Sequence, residues 1–108
     1  MRRERVSDDI YVFTSDLYAQ VTASAVVTRE GIVVIDTLPF GVETQEMIDY
    51  LNSLGIAPIK YLVNTHWHGD HTNGNYVFDD SIELVCHKQC QLAMQQYGPD
   101  ALAEAKET

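Results

Sequence analysis

The apolar positions in the first third of the chain follow a pattern typical of strands. The segments Ile10–Tyr18 and Val21–Thr28 are rich in β-branched and aromatic residues, which pack well on a pleated surface. A short polar link ending in Gly31 separates the second segment from the aliphatic run Ile32–Ile35, so the pattern predicts a hairpin over 25–35. The aliphatic run is apolar on both faces, which is typical of a strand that is covered on both sides.

Helical spacing follows this hairpin and predicts an amphipathic helix that ends at Gly55. The stripe recurs at positions i, i+3, i+4 and i+7 and consists of Thr44, Met47, Ile48 and Leu51. Further strands are predicted over Ile59–Val63 and Ile82–Val85, and helical spacing returns after Cys90. Because strands and helices alternate, the sequence indicates a layered α/β domain.

Composition and charge narrow the class of protein. The chain has 108 residues, 45% of them apolar, which fits one globular domain over residues 1–108. Its net charge of −9 repels phosphate backbones and anionic lipid, so we expect neither nucleic acid nor a membrane as a partner. The basic start is followed by Ser7 and acidic residues instead of the apolar stretch of a signal peptide. With two cysteines, Cys86 and Cys90, the expected location is a reducing cytoplasm.

The most distinctive segment of the chain is a cluster of histidines with one aspartate. It places three of the four histidines within six residues, and its four candidate metal ligands are His66, His68, Asp70 and His71. In an extended segment alternate side chains share a face, so the first two imidazoles can bind one cation together. Gly69 allows a tight turn, after which the carboxylate and the last imidazole can reach a second position.

This donor set predicts a divalent metal site. Imidazoles with a carboxylate suit Zn²⁺, with Fe or Mn as alternatives where oxygen ligands dominate. Structural zinc sites more often use four Cys or His ligands, so a carboxylate without nearby thiols favours an open site that carries a water molecule. The alternative, a polar surface loop that happens to be rich in histidine, does not explain why four ligand-type side chains are gathered so closely.

The motif at 66–71 resembles that of the metallo-β-lactamase superfamily, together with Asp36 at the end of an apolar strand and the segment 72–75 after the motif. The resemblance implies the N-terminal half of an αββα sandwich, in which one mixed sheet has helices packed on one face. It implies that His66 and His68 bind the first of one or two metals and that Asp70 and His71 bind the second. It also implies that Asp36 orients the ligand segment by hydrogen bonding; without the motif, a turn or helix-capping carboxylate would be the ordinary interpretation of Asp36.

Members of this family are about twice as long, and their later half supplies further metal ligands. The remaining histidine, His87, lies too close to the motif to match the family's third ligand motif. Three explanations stay open at this point. The chain is a fragment of a longer hydrolase, which we favour; or two copies form a homodimer that covers an exposed sheet face and completes the site; or the site is vestigial and the chain is an interaction module.

For the complete assembly, the resemblance implies hydrolysis of a small-molecule carbonyl substrate, with lactams, lactones and thioesters as candidates. A metal-bound water would be the nucleophile, and Asp70 would hold or deprotonate it. The non-enzymatic alternative is a metal-binding or vestigial interaction module.

Overall fold

In the part of the chain that the structure describes, six strands form one mixed sheet, and a helix packs on one of its faces. The computed structural model describes residues 1–17, 21–65, 74–79 and 81–86. The helical spacing predicted after Cys90 lies outside these residues. The elements are β1 (Arg2–Arg5), β2 (Ile10–Thr14), β3 (Thr22–Thr28), β4 (Gly31–Ile35), α1 (Gly41–Ser53), β5 (Ile59–Asn64), a short 3₁₀ helix (Asn75–Val77) and β6 (Glu83–Cys86).

The strands lie in the sheet in their order along the chain, but the pairing changes halfway. Strands β1 to β4 pair antiparallel, and the predicted hairpin is confirmed by the pairing of Val26 with Val33. Helix α1 then carries the chain back, so β4, β5 and β6 run parallel. The predicted mixed sheet with a helix on one face is therefore confirmed.

The first strand was not predicted. Its side chains Arg2, Arg3, Glu4 and Arg5 are all exposed, as is common for an edge strand that must not pair with another chain. Two of them also cover aromatic rings. The guanidinium of Arg3 lies 4.4 Å from the ring centre of Tyr50, and that of Arg5 lies 5.8 Å from the ring centre of Tyr11.

The hydrophobic core lies between the sheet and α1. The predicted stripe of the helix is buried, and the strand residues facing it are Phe13, Ala25, Ile32, Val34 and Leu62. Burying one large aliphatic or aromatic side chain contributes about 1.5 to 3 kcal/mol, so this layer holds the helix on the sheet. Helix α1 ends where predicted, at a turn in which Gly55 has a positive φ of 67°.

The opposite face of the sheet is also apolar, but it is less buried. Its residues alternate with the core residues along β2 to β6 and are Ile10, Val12, Val26, Val33, Ile35, Tyr61, Val63 and Val85. Tyr61 is 40% exposed and Val85 is 43% exposed. The aliphatic strand β4 is thus well covered on one face only, and pairing of two copies across the other face stays a prediction. No helix within the described ranges is long and apolar enough to cross a membrane.

Candidate metal centre

The candidate site lies at the edge of the sheet where the parallel strands end. Asp36 follows the last residue of β4, and Thr65 follows the last residue of β5. Parallel strands present their carboxyl ends at the same edge, which is where α/β sheets usually bind ligands. The predicted motif begins at His66, one residue beyond Thr65.

Asp36 connects the ends of two strands. Its backbone N–H donates to the carbonyl oxygen of Val63 in β5 at 2.7 Å. Its carboxylate accepts two hydrogen bonds from Thr65, one from the backbone N–H to Oδ1 at 2.8 Å and one from the hydroxyl to Oδ2 at 2.7 Å. Hydrogen bonds to an ionised carboxylate are about twice as strong as neutral ones. Asp36 therefore holds Thr65, the residue directly before the motif, in place.

The backbone of Asp36 is unusual. Its φ of 65° is in the left-handed region, where non-glycine residues other than Asn and Asp are rare. The residue is only 6% exposed, so its carboxylate is largely removed from water and depends on its hydrogen bonds. A buried residue with a positive φ persists where the surrounding contacts determine it, and such positions cluster at functional sites.

The four predicted ligands, His66, His68, Asp70 and His71, lie outside the described residues. Within the ranges that the structure does describe, no three His, Cys, Asp or Glu side chains are grouped closely enough to hold a metal. The predicted role of Asp36 in orienting the ligand segment stays a prediction, although its carboxylate contacts the residue next to His66.

The far end of the motif segment is also fixed. The backbone N–H of Gly74 donates to the hydroxyl of Thr37 at 2.9 Å. Glycine is required here by the close approach of two side chains. A Cβ at this position would overlap Oγ1 of Thr44 and would lie 2.8 Å from Cβ of Thr37. The chain therefore returns to the end of β4 directly after the motif.

A pair of asparagines joins the two flanks of the motif. Nδ2 of Asn75 donates to Oδ1 of Asn64 at 2.7 Å, and Nδ2 of Asn64 donates to Oδ1 of Asn75 at 3.2 Å. Asn64 is the last residue of β5 and is only 2% exposed. We call this reciprocal pair the amide clasp.

Buried polar side chains are concentrated at this edge of the sheet. Asp36, Thr37, Thr44 and Asn64 are each 6% exposed or less. Among these residues, the sequence pattern predicts a role at the site for Asp36 alone. The available signal was the position of polar residues directly before and after the motif, but which of them pair depends on tertiary contacts.

The chemistry of the predicted donors fits a divalent metal. Three imidazoles and one carboxylate are ordinary zinc ligands, and sites of this kind depend on hydrogen bonds that hold the ligand-bearing backbone in place. The described residues on both sides of the motif supply such bonds. The fold and the sequence together define a class of protein. It is an α/β protein in which a histidine-rich candidate metal centre follows the carboxyl end of a parallel strand.

Comparison with known proteins identifies the family. The sequence model of the metallo-beta-lactamase superfamily matches residues 18–85, which is more than half of the chain. The chain belongs to the metallo-beta-lactamase superfamily. A comparison with curated proteins gave no match.

Several solved structures with the same fold are metallo-beta-lactamases. One from Pontibacter korlensis is 24% identical with a TM-score of 0.78, and covers 90% of this chain and 48% of its own. FIM-1 from Pseudomonas aeruginosa, in a mono-zinc form, is 16% identical with a TM-score of 0.75, over 90% of this chain and 46% of its own. One from Erythrobacter litoralis, with beta mercaptoethanol in the active site, is 16% identical with a TM-score of 0.74, over 89% of this chain and 45% of its own. The present chain thus spans about half the length of these structures and shares the fold of their N-terminal half.

Proposed function

We propose that this chain forms the N-terminal, metal-binding half of a zinc-dependent hydrolase. The observation that carries the proposal is the pair of hydrogen bonds from Thr65 to Asp36, which fixes the backbone one residue before a motif of three imidazoles and a carboxylate. Membership of the metallo-beta-lactamase superfamily supports it.

His66, His68, Asp70 and His71 would hold one or two metal ions, with Fe or Mn as alternatives to zinc. A bound zinc ion would lower the pKa of its water molecule to about 7 and would supply a positive charge that stabilises a developing oxyanion. Asp70 would hold that water or accept its proton. Asp36 would keep the motif in position through Thr65 without touching the substrate.

The reaction we propose for the whole enzyme is attack of water on a carbonyl carbon. The C–N, C–O or C–S bond of a lactam, lactone or thioester would break, and the proton taken from the water would pass to the leaving group. A carbonyl substrate suits the site because a bound metal would polarise its oxygen while the water attacks its carbon.

The chain is proposed to need a second half for full activity. The motif would supply two ligands to each of two metal positions, whereas a catalytic zinc ion usually has three protein ligands and an open position. That the chain spans about half the length of the similar structures supports the fragment interpretation. The proposed substrate and activity are therefore those of a longer protein.

The test is metal binding and turnover by the purified 108-residue chain. We expect it to bind zinc, measured by elemental analysis and by competition with a chromogenic chelator. We expect His66→Ala and His68→Ala to lose that binding, because each removes a predicted ligand. His87→Ala is the matched control, since it removes a histidine outside the motif and should retain the metal.

Turnover of a lactam, a lactone and a thioester, with and without chelator, separates the functional classes. Hydrolysis that the chelator abolishes supports the proposal directly. Zinc binding without turnover at any metal stoichiometry would restrict the activity to a longer protein. A chain that binds no zinc would contradict the proposed metal centre and leave the interaction module as the better hypothesis.

A further inference from the structure

We propose that the amide clasp between Asn64 and Asn75 is a positioning device for the metal site, which prepares the segment between them to bind the ion. This inference rests on the proposed function, because it concerns the affinity of the same site. It assigns a role to two residues that are not predicted ligands. Neither asparagine needs to touch the metal or the substrate for the clasp to act.

The clasp is well suited to hold two flanks together. Each carboxamide has an N–H donor and an oxygen acceptor, and each donates one hydrogen bond to its partner and accepts one from it. The two N–O distances are 2.7 and 3.2 Å. The pair is neutral, so it does not titrate and does not add charge beside a metal ion. Because Asn64 is 2% exposed, water competes little for these hydrogen bonds.

The sheet itself does not need the clasp. Strand β5 pairs with β6 up to its last residue, where Asn64 lies opposite Cys86, and it pairs with β4 on its other side. The strand pairing on both sides of β5 is made by backbone groups and does not use the side chain of Asn64. Its hydrogen bonds go instead to Asn75, at the start of the short 3₁₀ helix beyond the motif.

The clasp belongs to a set of contacts that fix both ends of the same segment. Thr65 is bound to Asp36 before the motif, and Gly74 is bound to Thr37 after it. The clasp joins one flank of the segment directly to the other. Ten residues, positions 65 to 74, lie between the two asparagines in the sequence, and they include all four predicted ligands.

Joining the two flanks in advance lowers the conformational entropy that metal binding must otherwise remove. A chain segment loses conformational freedom when its ends are brought together, and metal binding carries less of that cost where contacts between the flanks already join them. Outer contacts that orient metal ligands typically change metal affinity by about 10- to 100-fold. We expect an effect of that size from the clasp.

The experiment measures zinc affinity and the absorption spectrum of bound Co²⁺ for the chain and its variants. Asn75→Ala removes the clasp at its half-buried member, and Asn75→Asp keeps the size but lacks the donor. Asn52→Ala, at an exposed asparagine on α1, is the matched control. Thermal unfolding without metal shows that each variant is folded at the temperature of the titration.

We expect Asn75→Ala to weaken zinc binding by about 10- to 100-fold and to alter the Co²⁺ bands, which report ligand geometry. Asn75→Asp distinguishes the effect of losing the clasp from the effect of added charge on zinc affinity. An added carboxylate attracts a cation and would strengthen binding if charge decided the affinity, whereas the clasp predicts weaker binding. The double variant Asn64→Ala with Asn75→Ala should bind no more weakly than Asn75→Ala alone, because both substitutions break one device.

The inference is overturned if Asn75→Ala lowers stability but leaves zinc affinity and the Co²⁺ spectrum unchanged, which would show a purely structural role. In that case the proposed function still stands. If the unaltered chain binds neither zinc nor Co²⁺, the proposed function fails, and this inference fails with it.

Discussion

Both carboxylate oxygens of Asp36 accept hydrogen bonds from Thr65, which lies 29 residues further along the chain. The two residues follow adjacent parallel strands, so this contact joins the ends of β4 and β5 directly before the predicted metal ligands. The buried side chain of Asp36 thus joins the end of β4 to the residue that precedes the motif.

We expect Asp36→Ala to lower the free energy of unfolding by about 1 to 3 kcal/mol, because it leaves the N–H and hydroxyl of Thr65 without their acceptor in a part-buried position. Asp36→Asn should cost less, since asparagine tolerates a positive φ and keeps one acceptor. Urea unfolding measures both. Asp49→Ala, at an exposed aspartate on α1, should change stability by less than about 0.5 kcal/mol. Equal losses for Asp36→Ala and Asp49→Ala would contradict this prediction.

How much of the fold is predictable from the sequence depends on how local the signal is. Helix α1 and strands β3 and β4 are predictable because apolar periodicity and turn residues fix them locally. Strand β1 is not, because Arg2 to Arg5 contain no apolar residue and pair only when β2 offers an edge. Its formation is a tertiary effect.

The same distinction applies to the site. The motif at 66–71 and Asp36 are visible in the sequence because residue type and spacing suffice to suggest metal binding. The pairing of Asn64 with Asn75, and of Thr37 with Gly74, depends on where the chain returns to the sheet. Sequence spacing does not contain that information.

The two glycines at Gly74 and Gly55 should respond to alanine for different reasons. Gly74 has an ordinary φ of −85°, so Gly74→Ala is opposed by overlap with Thr44 and Thr37 and should cost about 1 to 3 kcal/mol. Gly55 has open space but a φ of 67°, so Gly55→Ala should cost about 1 to 2 kcal/mol through the backbone alone.

A second substitution at each site separates the two causes in urea unfolding. Adding Thr44→Ala should recover part of the loss in Gly74→Ala, because it removes one overlapping atom. Gly55→Asn should be milder than Gly55→Ala, because asparagine tolerates the left-handed region. Full additivity of Thr44→Ala with Gly74→Ala would count against a steric cause.

Glu43 is a buried carboxylate on α1, outside the candidate site. It is 2% exposed, accepts a hydrogen bond from the Ser15 hydroxyl at 2.5 Å, and accepts a second from the backbone N–H of Asp16 at 3.0 Å. We expect Glu43→Ala to lower the free energy of unfolding by about 1 to 3 kcal/mol, because both donors lose their acceptor. Glu46→Ala, at an exposed position on the same helix, is the control and should be nearly neutral. Chemical denaturation showing the same small change for both variants would disprove the structural role of Glu43.

Asp79 provides a test of the electrostatics near β6. Hydrogen bonds from the hydroxyl and the backbone N–H of Ser81 hold the pKa of its carboxyl below the ordinary value of 3.8. Because the folded pKa is depressed, this contribution to stability is present above the unfolded pKa and is lost as the pH falls through the folded pKa. In Ser81→Ala the hydroxyl is gone and the N–H remains, so an NMR titration should show the pKa of Asp79 moving part of the way back towards 3.8. The difference in stability between the two proteins should accordingly shrink as the pH is lowered from neutral through the pKa of the Asp79 carboxyl in the folded protein. An unchanged pKa of Asp79 in Ser81→Ala would show that the hydroxyl does not hold the carboxylate in solution.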